Sequence, residues 1–381
     1  MRDLRNRPGL LTGRLSTKDS SLTFALYALS LLGALVISGA LVAATGGSAP
    51  DVLSALLDGS VRSPGAWGLT LTTAAPLLLV AIGTIVATRA GLVNIGQEGQ
   101  VLIGAAFAAY AAVRLGGPGW VVVTGALLFG AVGGGAWAGI AAGLRAWRNV
   151  PEVLTTLLLT FIAFPLVTFG LSQAALIADR DTTRQNQLNT GEIIPGTALL
   201  PDVHLFGNAI DSGFLVAIGL SAVLAYLISR TLLGTRVDML GYNPRAAQRF
   251  GVAAGPLSAA VLIGSGATAG VAGAVLLTGG AAGDRLVFGF SGNFGWDGLL
   301  VALLARNRIL VALPVALIFA MLRTGSSFLA ATGVDRKVTE VVQALLVLAL
   351  LIPPAVLFIR DRRRALRSSN QKTPATAPEA T

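Results

Sequence analysis

The feature that most constrains this chain is an apolar run of membrane-crossing length that recurs along it. A crossing helix needs about 20 mostly apolar residues, because each residue advances about 1.5 Å through a hydrocarbon layer about 30 Å thick. Clear runs cover residues 23–43, 69–88, 120–144, 153–171, 213–228, 256–277 and 338–359. Three stretches, 101–113, 297–305 and 309–322, are short for a straight crossing and predict tilted, broken or protein-shielded helices. The predicted count is ten, with nine as its rival. Composition agrees: of 381 residues only 12% are charged, while 54% are hydrophobic before the 47 glycines are added. A soluble domain is roughly 25% charged, so this chain has too little charge to cover a water-facing surface. Soluble, disordered and collagen-like classes are excluded, and an all-α polytopic membrane protein is predicted.

Orientation follows from which short loops collect Lys and Arg. With the N-terminus inside, the inner segments hold about twenty of the 28 basic residues and the outer segments hold eight. Ten spans put a basic residue in every inner segment, whereas nine would leave the basic C-terminal tail outside. The formal charge of +10 is then topology rather than a nucleic-acid footprint. The expected organisation is an inner tail over 1–22, a membrane domain over 23–359 and a basic, then disordered, inner tail over 360–381. Within the membrane domain lie a polar external loop at 172–212, suited to touching an external partner, and an inner loop at 229–255.

Two segments share an uncommon pattern. Asn94-Ile95-Gly96-Gln97-Glu98-Gly99 and Asn293-Phe294-Gly295-Trp296-Asp297-Gly298 both read Asn-x-Gly-x-acid-Gly. Further on, Glu152-Val153 precedes Leu157-Leu158 as Glu340-Val341 precedes Leu345-Leu346. In ten spans the two units, helices 2–5 and 7–10, run in opposite senses. Such loose inverted repeats are a transporter signature, with the substrate path near the repeat interface. A carboxylate at the bilayer centre costs about 2.5–3.5 kcal/mol on insertion scales. Glu98 and Asp297 are therefore expected to face a polar path, or to be tied to backbone amides that the flanking glycines leave open. A plainer alternative makes both motifs polar turns whose acid caps the next helix.

Other chemistry is missing. All three lysines follow residues other than glycine, so a Walker-type Gly-Lys pair does not occur. Gly264, Gly266 and Gly270 lie inside an apolar span and are expected to serve helix packing, as are Gly130, Gly134, Gly135 and Gly139. The chain has no cysteine, and its single histidine, His204, has no second ligand at metal spacing. No metal site or catalytic set is predicted. In the inner loop, Asn243-Pro244-Arg245-Ala246-Ala247-Gln248-Arg249-Phe250-Gly251 has an N-cap residue, proline at the first helical position and a terminal glycine, which predicts a helix of about two turns. It is either a solvated connector or a helix that docks on a partner.

These residues resemble a known family. The stretches 91–100, 150–156, 241–247 and 295–304 are similar to permease subunits of bacterial ABC importers, nearest to the nucleoside importers that work with basic membrane lipoproteins and related to ribose and branched-chain amino-acid permeases. The similarity runs from about residue 23 to 359. Two positions depart from the family pattern, Pro151 and Thr160, where Asn is frequent, and both bear on solute preference.

The resemblance implies a homodimer or heterodimer of permeases in the bacterial cytoplasmic membrane, with both termini cytoplasmic. It implies an external binding lipoprotein and a separate cytoplasmic ATPase that binds ATP and Mg; no cofactor is expected in this chain. Asn243, Pro244, Arg245, Arg249 and Gly251 would couple to that ATPase. Asn94, Gln97, Glu98, Gln100, Asn293, Trp296 and Asp297, with Thr156, Thr160 and Gln343 as secondary candidates, would line a path for a small hydrophilic solute, a nucleoside or a simple sugar such as ribose. An ion-coupled secondary transporter is the main rival, since inverted repeats and Glu98 would serve it equally.

Overall fold

The computed structural model describes residues 17–44, 49–173, 176–177, 190–205, 207–279 and 284–331, with scattered positions between 341 and 363. The chain divides into two compact units, residues 1–53 with 329–381, and residues 54–328. In the first unit, helix α1 (Thr17–Ala44) exposes Leu29, Leu32, Val36 and Ile37, as a lipid-facing helix does. The expected span 338–359 lies mostly, and the tail 360–381 almost wholly, outside the described residues.

The second unit takes up the chain within α2 (Ala49–Leu57), which runs into a π turn at Asp58–Arg62. Then come α3 (Ala66–Arg89), α4 (Gln97–Arg114), α5 (Gly119–Arg148) and α6 (Glu152–Leu171). A two-stranded hairpin follows, β1 (Asp202–Leu205) and β2 (Asn208–Asp211), and after it α7 (Gly213–Arg230), α8 (Leu232–Tyr242) and α9 (Pro244–Arg249). The unit is completed by α10 (Ala254–Thr278), α11 (Phe294–Leu304) and most of α12 (Ile309–Ala331).

Among the described residues seven helices are long and apolar enough to cross a membrane, and the number ten is not reached by them. The 101–113 stretch becomes α4, whose residues from Gln97 to Ala105 are all buried, as expected of a protein-shielded helix. With 11 residues α11 covers only about half a bilayer at about 1.5 Å per residue. One expectation is corrected: 309–322 is not a short crossing. Helix α12 continues through Arg323 to Ala331, because an ion pair supplies that arginine with a partner inside the fold. The 172–212 loop also holds more order than its polarity implied. The hairpin pairs His204 with Ala209 and sits against α3, where a Cβ on Gly68 would strike the Ala209 carbonyl.

Aromatic and basic side chains mark the levels of the two membrane surfaces. Trp120 and Trp147, at opposite ends of α5, are 73% and 77% exposed, about 40 Å apart at 1.5 Å per residue. The Arg148 guanidinium lies 4.6 Å from the Trp147 ring, and Arg114, at the other level, lies 5.6 Å from Tyr110.

The core is a seam of α4, α5 and α10 in which backbones touch. A Cβ on Gly270 would overlap the Gly130 carbonyl, and one on Gly104 the backbone of Gly270. Gly134 and Gly266 exclude one another's Cβ in the same way. Small residues let helices approach this closely where lipid supplies no hydrophobic drive. The packing role therefore holds for Gly130, Gly134, Gly266 and Gly270. Gly264 has nothing within 4 Å among the described residues, while Gly135 and Gly139 make only ordinary contacts.

Candidate functional site

The two Asn-x-Gly-x-acid-Gly segments open two helices, α4 and α11, and those helix starts meet. The Asn293 N–H donates to Glu98 Oε1 at 3.1 Å and the Gly295 N–H to Glu98 Oε2 at 2.7 Å. Glu98 is 1% exposed, and both its oxygens face the amides at the positive end of α11. Gly295 is obligatory here, since a Cβ would collide with the Glu98 backbone. Gly298 lies against Val80 and the Leu77 carbonyl, which puts the first turn of α11 beside the middle of the 24-residue α3. Of the alternatives open from sequence, this geometry matches the one that ties Glu98 to backbone amides.

Below this junction the chain from Gly91 to Gly96 returns into the bundle without regular structure, and the N–H groups of Gly91, Leu92, Val93, Ile95 and Gly96 find partners within the protein. Asn94 and Gln100 exchange amide hydrogen bonds at 2.9 and 3.1 Å, and the Gly96 N–H donates to Asn94 Oδ1 at 3.1 Å. Asn94 and Gln97 both donate to Ser265 of α10, and Gln97 also donates to Thr84 of α3 at 3.0 Å. The Val93 N–H reaches Glu152 Oε1 at 3.4 Å and the Ile95 N–H reaches Thr156 Oγ1 at 3.3 Å. Glu152 in turn pairs with Arg145 of α5. Thr160 packs beneath Gly99 with its hydroxyl on the Thr156 carbonyl. All of Asn94, Gln97, Glu98, Gln100, Thr156 and Thr160 are at most 2% exposed, so this half of the expected set forms one closed cluster.

The residues expected from the other repeat sit differently. Asn293 is exposed, with left-handed backbone at φ 69°, and Trp296 and Asp297 are half-buried. Asp297 Oδ2 accepts from Arg323 Nη1 at 2.7 Å; Arg323 also donates to the Gly292 carbonyl and covers the Phe294 ring at 3.9 Å. Glu98 and Arg323 thus hold the start of α11 between an anion and a cation. Sequence reading missed Arg323, Ser265 and Thr84. Ser265 stood between the two glycines assigned to packing, and Arg323 was counted with an outer loop. Gln343 lies outside the described residues.

At the Trp147–Arg148 level the 229–255 loop is two helices rather than one. Asn243 Oδ1 accepts from the Arg245 and Ala246 N–H groups at 3.0 and 3.1 Å, Pro244 is the first residue of α9, and Gly251 has φ 79°. The expected capping is therefore present, and Arg245 and Arg249 point outward, exposed. Helix α8, which precedes it, was not anticipated. At the opposite level Asp211 is 4% exposed, with Oδ1 accepting the Gly213 N–H at 2.6 Å and Oδ2 without a partner among the described residues. Burial pushes its carboxyl up to about 6, with Asp202 adding to the rise and the Gly213 bond opposing it.

A family model described as "Branched-chain amino acid transport system / permease component" matches residues 68–351. The glucose ABC transporter permease protein TsgB13 of Haloferax volcanii is 32% identical over 88% of this chain and 89% of its own length. The nucleoside ABC transporter permease protein NupB of Lactococcus lactis is 28% identical over 82% and 85%. The guanosine ABC transporter permease protein NupP of Bacillus subtilis is 27% identical over 85% and 92%.

Proposed function

Because the chain belongs to the family of permease components of branched-chain amino acid transport systems, we propose that it is the membrane subunit of an ATP-driven importer for nucleosides. Likeness to NupB and NupP over most of their length supports the solute class. The likeness to TsgB13 favours a second reading, in which the solute is a simple sugar. In either case an external binding lipoprotein delivers the solute, two permeases form the conduit, and ATP with Mg is bound and hydrolysed by a separate ATPase. The excess of Lys and Arg on one side supports a cytoplasmic-membrane protein with both termini in the cytoplasm.

The observation that carries a transport role is the meeting of two helix starts, Glu98 on α11, beside the middle of α3. A helix that begins at that depth presents backbone amides and side chains where a crossing helix would present only apolar surface. Asn293, Trp296 and Asp297, open or half-open at this point, meet the solute, and Trp296 stacks on its ring. Asn94, Gln97, Glu98, Gln100, Thr156 and Thr160 hold the backbone that presents them. Helix α9 docks on the ATPase through Arg245 and Arg249, with Asn243, Pro244 and Gly251 setting its ends.

The test is uptake of radiolabelled uridine and guanosine by cells that express the importer, with ribose, glucose and free bases as competitors. Self-competition by nucleosides supports the reading. Competition by glucose or ribose alone replaces it with the sugar reading. Charge reversal at Arg245 and Arg249 together is expected to abolish ATPase co-purification with folded permease, and normal co-purification removes that docking assignment.

A further inference from the structure

We propose that α8 and α9 form a lever jointed to α3, and that Arg89 and Asp238 are the positioning residues that carry motion from α9 into α3; at its other end α8 is fixed to α7, where a Cβ on Gly234 would strike the Ile228 carbonyl. This rests on the permease reading above for its purpose, while the joint itself stands on geometry. Arg89 is the last residue of α3, and its guanidinium meets the Asp238 carboxylate of α8 as a fork: Nε to Oδ1 at 2.9 Å and Nη2 to Oδ2 at 2.7 Å. A two-pronged pair fixes orientation as well as distance, which one hydrogen bond does not. Beside it the two backbones cross with no side chain between them. Gly91 has φ 73° and a Cβ there would sit 3.2 Å from Gly241 Cα, while a Cβ on Gly241 would strike the Arg89 carbonyl.

Beyond the joint, α9 stands over open space. A cavity of about 350 Å³ lies beneath Pro244 and Gln248, with walls from Ala142 and Ala146 of α5 and Ser258 and Leu262 of α10. Ala247 is the only buried residue of α9. Its flanks carry Tyr242 and Phe250, 85% and 78% exposed, next to Arg245 and Arg249. A partner pressing on this outer face moves α9 toward the cavity, and α8 turns about the Arg89–Asp238 fork.

The load then enters α3. Thr88, one residue before Arg89, donates to Asn307 just after α11 at 2.8 Å, and Gly298 of α11 abuts Val80. The line from α9 through α8, Arg89 and α3 therefore ends at the α11 start that Glu98 holds.

The chain has no cysteine, so paired nitroxide labels can be placed without background, at Gln248→Cys on α9 and Trp120→Cys at the far end of α5. Pulsed electron paramagnetic resonance on the purified full chain reads the distance distribution. Arg89→Ala and Asp238→Ala are each expected to broaden it at least twofold. Arg89→Lys, which keeps charge but not the fork, is expected to be intermediate, and the exchange Arg89→Asp with Asp238→Arg is expected to recover at least half of the narrowing. Unchanged width in both alanine variants overturns the joint, as does an exchange variant as broad as either.

In cells carrying the complete importer, both alanine variants are expected to lose at least tenfold in uptake while ATP hydrolysis by isolated complexes stays within twofold. A parallel loss of both activities points to simple structural damage and overturns the coupling role. Absence of nucleoside uptake by the unaltered importer refutes the solute reading alone, because the label measurement involves no solute.

Discussion

Replacing Glu98 by Gln is the sharpest test of the junction between α4 and α11. Each carboxylate oxygen accepts one amide of α11, from Asn293 at 3.1 Å and from Gly295 at 2.7 Å, in a site 1% open to solvent. Glutamine keeps one acceptor and turns the other into an NH₂ group that faces an N–H. One charge-assisted hydrogen bond, about 1.5–3 kcal/mol, is lost and a buried donor is left without a partner. The favourable interaction of a negative charge with the helix start, up to about 2 kcal/mol in a buried geometry, also goes. Against this, a neutral amide is cheaper to bury than a carboxylate, so the expected net destabilisation is about 2–4 kcal/mol. The assay is unfolding of the purified permease in mixed micelles by sodium dodecyl sulfate, followed by tryptophan fluorescence, with uptake measured in parallel. Glu98→Gln should unfold at lower detergent fraction and transport poorly while still assembling. Glu98→Asp, too short to span both amides, should fall between it and the unaltered protein. An unchanged midpoint together with unchanged uptake would refute the reasoning.

Three more outcomes follow from the same geometry. Arg323→Ala leaves Asp297 unpaired and is expected to cost about 2–4 kcal/mol in the same detergent titration, whereas Arg323→Ala with Asp297→Asn should recover at least half; equal losses would refute the pairing. Gly270→Ala should cost about 1–3 kcal/mol by overpacking and lower the yield of monodisperse protein, while Gly264→Ala, with nothing within 4 Å among the described residues, should match the unaltered chain; identical yields would refute the seam. Asp211, its carboxyl raised from 3.8 to about 6, binds a proton more readily folded than unfolded, so its contribution to stability grows as pH falls from 7 towards 4. Thermal midpoints should therefore rise between pH 7 and 5, and Asp211→Asn should be more stable at pH 7 with a flatter profile; a steeper one would contradict the sign.

What could be read from sequence was what local chemistry determines. The capped helix after Asn243 was legible because N-cap, proline and glycine signals act within a few residues. The two Asn-x-Gly-x-acid-Gly segments were legible as a pair because each is contiguous, although nothing in either says that their helix starts abut. Interactions between distant segments stayed hidden. Arg323 pairs with Asp297 across 26 residues and lies within a helix that hydropathy ends at 322. Arg89 and Asp238 are separated by 149 residues, and only tertiary packing of α8 against α3 brings them together. The hairpin at 202–211 was hidden for another reason: its strands are four residues each, too short for a period-2 pattern to emerge from a polar loop.

The glycine seam also limits how such a molecule can change shape. Where two helices touch main chain to main chain, only one axial register is free of collision, so α4, α5 and α10 behave as a keel that neither slides nor splays. Any alternation between outward and inward openings must then be carried by pieces outside the keel, and α9, with Ala247 alone buried and a cavity beneath it, is the piece with room to move.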